Sequence, residues 1–246
     1  MPWMDKLYVK EKFSLRLVIK ALRFLALCLI LPWLHLDAFI YRKASKAKRH
    51  ARVQFWSRLG LKLLGRKLVV NHGEYSENMT HTLIVCNHQG LTDPLPILCG
   101  VKSPMSFVSK IENRKILGIG AWGDTIDLIY FDRSSREGNV KMLRECTQAI
   151  KSGHNVLIFP EGTRSKSDSM NPFKAKAFGI VKMAQANILP ISLSHAYDPF
   201  DTRIKQPITL TLHPLIPYHS IEGKSSDEIS EMIYDIIKKD VHPTLI

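Results

Sequence analysis

Cysteine is scarce in this chain, four in 246 residues, and Cys28, Cys86, Cys99 and Cys146 fall at no metal-ligand spacing. That scatter excludes a zinc site and a disulfide scaffold and reads as buried thiols in a reducing cytoplasm. Long apolar runs are missing too. The longest uninterrupted one, residues 24–34, has eleven members, against about 20 for a membrane span, and extending it to residue 40 takes in His35 and Asp37. No small-x-small site follows it, which argues against a cleaved signal peptide. There is no internal repeat and no low-complexity linker. Acidic residues are almost absent from the first quarter: residues 1–67 hold sixteen Lys or Arg against Asp5, Glu11 and Asp37. The whole formal net charge of +13 therefore lies there, and the remainder is balanced at nineteen of each sign.

A basic arm suits nucleic acid or an anionic membrane surface. Here the cations are interleaved with the apolar run that ends in Pro32-Trp33-Leu34, and no nucleic-acid motif is present, so lipid is the better partner and nucleic acid is not expected. The pattern predicts a pair of amphipathic or re-entrant helices, roughly 14–31 and 36–65, anchoring one leaflet; a single tilted transmembrane helix through 17–40 is the alternative. The chain divides into an anchoring segment, 1–67, and an α/β domain, 68–246, large enough for its own core.

Within the second segment, strands are expected near 68–71, 82–86, 105–109, 126–131, 155–159, 188–194 and 206–212, and helices over 93–100, 135–151, 174–186 and 226–239. Ser134 to Glu137 has the capping-box pattern before the second of these helices. The alternation of strands and helices predicts an α/β fold: a mixed, mainly parallel sheet flanked by helices, preceded by the membrane-anchoring helical pair.

Two strings carry the chemistry. Thr82-Leu83-Ile84-Val85-Cys86 delivers Asn87-His88-Gln89-Gly90-Leu91-Thr92-Asp93 to a strand's carboxyl end, where ligands of open α/β sheets sit. Asp93-Pro94 has the form of a helix N-cap followed by proline at the first helical position. A regular helix separates residues five apart, so a His88–Asp93 contact requires the chain to turn at Gln89-Gly90. If they meet, the carboxylate fixes the imidazole tautomer and leaves the other ring nitrogen to accept a proton. Asn155-Val156-Leu157-Ile158-Phe159 then leads into Pro160-Glu161-Gly162-Thr163-Arg164. Arg164 offers a planar fork suited to a phosphate monoester, and Glu161 can accept from substrate hydroxyls or hold an arginine.

In this order, His-x4-Asp followed by Phe-Pro-Glu-Gly-Thr-Arg resembles the signature of bacterial 1-acylglycerol-3-phosphate acyltransferases, the glycerolipid acyltransferase family. The resemblance extends to Ile126-Asp127-Leu128-Ile129-Tyr130-Phe131-Asp132-Arg133, to Ser106-Phe107-Val108-Ser109-Lys110-Ile111-Glu112, where Ile111 replaces a second lysine of the family pattern, and to Ile188-Leu189-Pro190-Ile191-Ser192-Leu193. It implies His88 as general base and Asp93 as its partner. It also implies Glu161, Gly162, Thr163 and Arg164 around the glycerol phosphate, Arg133 as a second phosphate ligand, and Lys110 at the phosphate or the developing oxyanion. The implied reaction esterifies the free 2-hydroxyl of lysophosphatidic acid from an acyl thioester, acyl-carrier-protein or coenzyme A, giving phosphatidic acid in phospholipid biosynthesis. No metal and no organic cofactor are implied, and the implied location is the cytoplasmic face of the cell membrane, monotopic or single-pass. Relatives with another lysolipid acceptor share His-x4-Asp, and a non-catalytic membrane-surface binding protein on the same fold is the reading from a different class.

Overall fold

The structure, a computed structural model, describes residues 2–72, 77–132 and 134–242, with only the backbone described for 2–14. Seven strands, β1 (Leu68–His72), β2 (Thr82–Cys86), β3 (Met105–Lys110), β4 (Ile129–Phe131), β5 (Asn155–Ile158), β6 (Asn187–Ser194) and β7 (Ile208–Leu212), form one sheet in the order β1-β7-β6-β2-β5-β3-β4. All neighbours are parallel except β6 and β7. Strands β6, β2, β5, β3 and β4 therefore end on one edge, and the expected mixed, mainly parallel sheet is what the chain builds.

The central strands are apolar at every position because both faces are covered. Ile84, Cys86, Leu157 and Leu189 pack on one side with Ile97 and Trp122; Leu83, Val85, Val156 and Ile188 pack on the other with Cys146, Ile150, Ile229 and Ile233. Leu83, Ile84 and Val85 are wholly buried, each a stabilisation of about 1.5–3 kcal/mol. The first face carries α1 (Pro2–Tyr41), α2 (Lys46–Leu63), α3 (Pro94–Gly100) and α4 (Ile119–Thr125); the second carries α5 (Arg136–Lys151), α6 (Gly179–Ala184) and α7 (Ser226–Lys238).

Several boundaries depart from the sequence reading. The break between the first two helices falls at 42–45, not at 32–36, and α1 runs on through Pro32. Proline inside a helix costs about 3 kcal/mol, and tertiary contacts around it offset that cost. Asp37, expected as an interruption, accepts from Arg52 Nε (2.7 Å) and Nη2 (2.9 Å) and from Trp56 Nε1 (2.6 Å), clasping α1 to α2. The strand expected over 126–131 is shortened to β4 because Ile126 caps the end of α4 and Asp127 turns with φ 59°. The helix expected over 174–186 opens as a 3-10 turn, Ala175–Phe178, before α6. Ser135, rather than Ser134, caps α5 by accepting from Gly138 N (2.9 Å), and the reciprocal capping box occurs instead at α7, between Ser225 and Glu228. Cys86 and Cys146 are buried as expected, but Cys28 and Cys99 are only half-buried.

By length and composition, Leu15–Tyr41 is apolar enough to cross a membrane, with a mean hydropathy of 2.1. It is nevertheless laid along the domain. Lys20 approaches Asp198 (4.0 Å), Phe24 lies on Phe200 (ring centroids 6.3 Å apart), and Thr125 Oγ1 donates to the Ala38 carbonyl (3.4 Å). These contacts are spaced along the helix, most of whose side chains stay exposed or half-buried.

Candidate active site

Because β2, β5, β3 and β4 are adjacent and parallel, the sheet gathers residues from four separate strings on one edge. His88 follows β2, Glu161 follows β5, Lys110 ends β3 and Asp132 follows β4. Strands lie about 4.8 Å apart, so Lys110 stands about 10 Å along the edge from the His88 strand. Arg133 lies outside the described residues.

His88 and Asp93 meet. The chain turns at Gln89-Gly90, and His88 Nδ1 stands 2.8 Å from Asp93 Oδ2. The same carboxylate accepts from Gln89 N (2.7 Å) and Gly90 N (2.9 Å to Oδ1). Its expected helix-capping bond is absent: although Asp93 occupies the N-cap position of α3, its side chain reaches back into the loop instead. Asp93 is fully buried, and desolvation pushes its carboxyl above the usual range while the imidazole and two backbone donors pull the other way. With Nδ1 held as a donor, Nε2 keeps its lone pair, and no partner for it occurs among the described residues. The ring stacks on Phe159, centroids 4.2 Å apart and planes 19° from parallel, and its side chain is 14% exposed. One imidazole nitrogen thus opens toward solvent with its orientation fixed from below and from the side.

Glu161 has a different place from the one the sequence suggested. It is buried, and both oxygens are engaged by protein: Oε1 accepts from His88 N (2.7 Å), and Oε2 from Asn171 N and Nδ2 (2.9 Å each). Among the described residues it holds no arginine; its bonds pin the backbone that carries the base. Burial raises its carboxyl above the ordinary value, against those donors. Gly162 closes the turn by donating to the Phe159 carbonyl (3.1 Å) with φ 72°, a conformation that favours glycine.

Thr163, Arg164 and Lys110 are exposed, and among the described residues no carboxylate pairs with Arg164 or Lys110. Lys174, which sequence reasoning passed over, joins them: its Nζ lies 2.6 Å from where a Cβ on Gly162 would stand. Asp132 accepts from Ser134 N (2.8 Å) and Oγ (2.6 Å), so it shapes its own loop.

The Arg164 loop is docked on the His88 loop by bonds that no local pattern announces. Ser165 N donates to the His88 carbonyl (2.8 Å) and Lys166 N to that of Gln89 (3.1 Å). Buried Gln89 donates to Asp168 (2.8 Å) and accepts from Ala196 N (2.8 Å). Gly90 is required by proximity: a Cβ there would stand 2.6 Å from the Ala196 carbonyl oxygen.

The dyad has no protein nucleophile beside it among the described residues. Cys86, two residues upstream, is fully buried and its thiol is pushed well above the ordinary range by desolvation and by Asp93 and Glu161. Also among the described residues, no three of His, Cys, Asp and Glu are grouped to hold a metal ion. What the arrangement can do is take a proton from a hydroxyl brought by a substrate, beside a field of exposed cations.

The family model described as Acyltransferase matches residues 67–194, from the residue before β1 to the last of β6. The chain belongs to the Acyltransferase family. It is 28% identical over 167 residues to a 1-acyl-sn-glycerol-3-phosphate acyltransferase of Chlamydomonas reinhardtii, covering 66% of this chain and 49% of that protein. The chain thus spans about half the length of that relative. It is 27% identical over 210 residues to a probable 1-acyl-sn-glycerol-3-phosphate acyltransferase of Mycoplasma genitalium, covering 77% of this chain and 75% of the other. In fold it is similar to the crystal structure of the 1-acyl-sn-glycerophosphate acyltransferase PlsC from Thermotoga maritima, with a TM-score of 0.76 over 92% of this chain and 94% of that one at 20% identity.

Proposed function

We propose that this family member esterifies the 2-hydroxyl of 1-acylglycerol 3-phosphate from an acyl thioester, acyl-carrier-protein or coenzyme A, giving phosphatidic acid. The observation that carries the reading is the His88 Nδ1–Asp93 Oδ2 contact of 2.8 Å at a strand edge rimmed by exposed cations. His88 Nε2 takes the hydroxyl proton as the oxygen attacks the thioester carbonyl; the tetrahedral intermediate collapses with cleavage of the carbon–sulfur bond, and the imidazolium returns its proton to the leaving thiolate. Asp93 stabilises the imidazolium between the two transfers. Arg164 is the principal ligand of the phosphate, with Lys110 and Lys174 adding charge and Arg133 a further donor.

The seat of the reaction is the cytoplasmic face of the cell membrane, and the attachment is monotopic. The helix touches its own domain at Lys20, Phe24, Asp37 and Ala38, and Leu22, Leu25, Leu29, Trp33 and Leu36 are left exposed along it. Burial of those side chains, with attraction of the basic first quarter to anionic lipid, holds the enzyme on one leaflet.

The test is an assay of the full chain in detergent micelles with lysophosphatidic acid and each thioester donor. Turnover with lysophosphatidic acid, and its loss in His88→Ala, supports the reading. Turnover only with a lysolipid lacking the phosphate monoester would replace the acceptor, and no transfer to any lysolipid would leave a binding protein. For the attachment, retention of the chain on membranes after salt and alkaline washing is expected; release by salt alone refutes insertion.

A further inference from the structure

Directly after Lys110, where β3 reaches the catalytic edge, the chain leaves the sheet in a 3-10 turn, Ile111–Lys115, and runs through Ile116, Leu117 and Gly118 into α4. Four of its aliphatic side chains face solvent: Ile111 is 40% exposed, Ile116 41%, Leu117 50% and Ile119 47%. A soluble surface has no use for four such residues within nine. They are not isolated. At Gly118 (φ 75°) the segment touches α1, the place of its missing Cβ lying 2.8 Å from the Leu31 carbonyl and 3.1 Å from a Leu34 methyl. The outward face of α1 on either side of that contact presents Leu29, Trp33 and Leu36, all at least half exposed. The segment and the helix thus share one apolar surface. Its cations, Lys110, Arg114 and Lys115, outnumber its one carboxylate, Glu112, and Arg114 is steadied by Asp124 (3.0 Å).

We propose that residues 111–119 insert shallowly into an anionic bilayer as a second membrane contact beside α1, turning the edge that carries His88 and Lys110 toward the lipid. The chemistry of the patch selects this occupant: aliphatic side chains for the acyl boundary, ringed by ammonium and guanidinium groups at the height of lipid phosphates. A helix alone leaves rotation about its own axis undetermined. A second contact to one side of it removes that freedom. The proposal rests on the acyltransferase reading only for its purpose; the contact itself can be measured without turnover.

The decisive measurement places Leu117→Trp in a full-length Trp33→Phe background and adds vesicles of phosphatidylcholine and phosphatidylglycerol, with and without lipid brominated high on the acyl chain. The emission should shift to the blue and be quenched by the brominated lipid, relative to the same background with Leu117 retained. Absence of added quenching while the protein sediments with the vesicles overturns the proposal. In a second arm, Ile116→Ser with Leu117→Ser should slow transfer to acceptor embedded in those vesicles about tenfold while leaving the rate in detergent micelles unchanged. Equal loss in both media, or a dimer in detergent that the double change splits, gives the patch another role and also refutes the inference. Were the acyltransferase reading itself wrong, both media would lack turnover while the quenching persisted.

Discussion

The two halves of the candidate site are built on opposite principles. Around His88 and Asp93 nearly every polar atom has a protein partner: the carboxylate of Asp93 accepts three donors, that of Glu161 another three, and Gln89 is held at both ends of its amide. Around Lys110, Thr163 and Arg164 the side chains stand in water. The contrast fits the roles proposed for each half. A base must present one nitrogen in one orientation before substrate arrives, and buried hydrogen bonds supply that order. Cations that bind a dianion gain from staying solvated and adjustable until the dianion displaces the water.

The sharpest way to break this contrast is on the buried side. His88→Ala should reduce transfer about 10²- to 10⁴-fold, far more than the modest fall in melting temperature expected from loss of the Asp93 bond and the Phe159 stacking; activity of the folded variant within about tenfold of the parent would remove the base. Asp93→Asn should follow at about a hundredfold: the amide oxygen can still accept from Gln89 and Gly90, but the imidazolium loses its counter-charge. Single-turnover rates separate this from a binding defect. On the exposed side the signature should change from rate to affinity. Arg164→Ala should raise KM for lysophosphatidic acid about tenfold or more, as expected for loss of a charge-assisted hydrogen bond, and leave KM for the thioester nearly alone. Equal increases for both substrates would put the head group elsewhere.

The smallest effect concerns pH. Glu161 is held above its ordinary value of 4.5 by burial, so the folded chain binds that proton more tightly than the unfolded one. The associated stability is fully present below the ordinary value and is lost as pH rises through the folded value. Glu161→Gln should therefore flatten the fall in melting temperature across that window. An identical slope in both proteins would show that Glu161 carries no such coupling.

Strand-borne features were legible because they depend on neighbours in the chain: the apolar runs of β2 and β5, and the short polar strings that leave them. His88 and Asp93, which the structure brings together, and Arg164 were singled out that way. Glu161 was identified but its bonds were not foreseen, since its partners His88 and Asn171 lie 73 and 10 residues away and no spacing links them. The Gln89–Asp168 bond and the approach of Lys174 to Gly162 were invisible for the same reason. Helix α4 was missed because Gly118, Gly120 and Gly123 argue against helix locally. Close packing overrides them: a Cβ on Gly120 would stand 2.0 Å from the Arg114 carbonyl oxygen, and one on Gly123 the same distance from the Tyr130 hydroxyl. Conversely, Pro32 suggested an end to α1 that the Asp37–Arg52–Trp56 clasp and the contacts of Ala38 prevent.

That clasp has a kinetic corollary. With Asp37 joined to Arg52 and Trp56, and Lys20 and Phe24 seated at Asp198 and Phe200, the reactive edge cannot swivel on its hydrophobic helix as a tethered head would on a flexible stalk. On the proposed one-leaflet attachment, it would meet acceptor molecules as they diffuse past in two dimensions. Velocity should then depend on acceptor mole fraction in the surface: adding inert phosphatidylcholine at constant total lysophosphatidic acid should dilute the proposed substrate and slow transfer, although no molecule has left the tube.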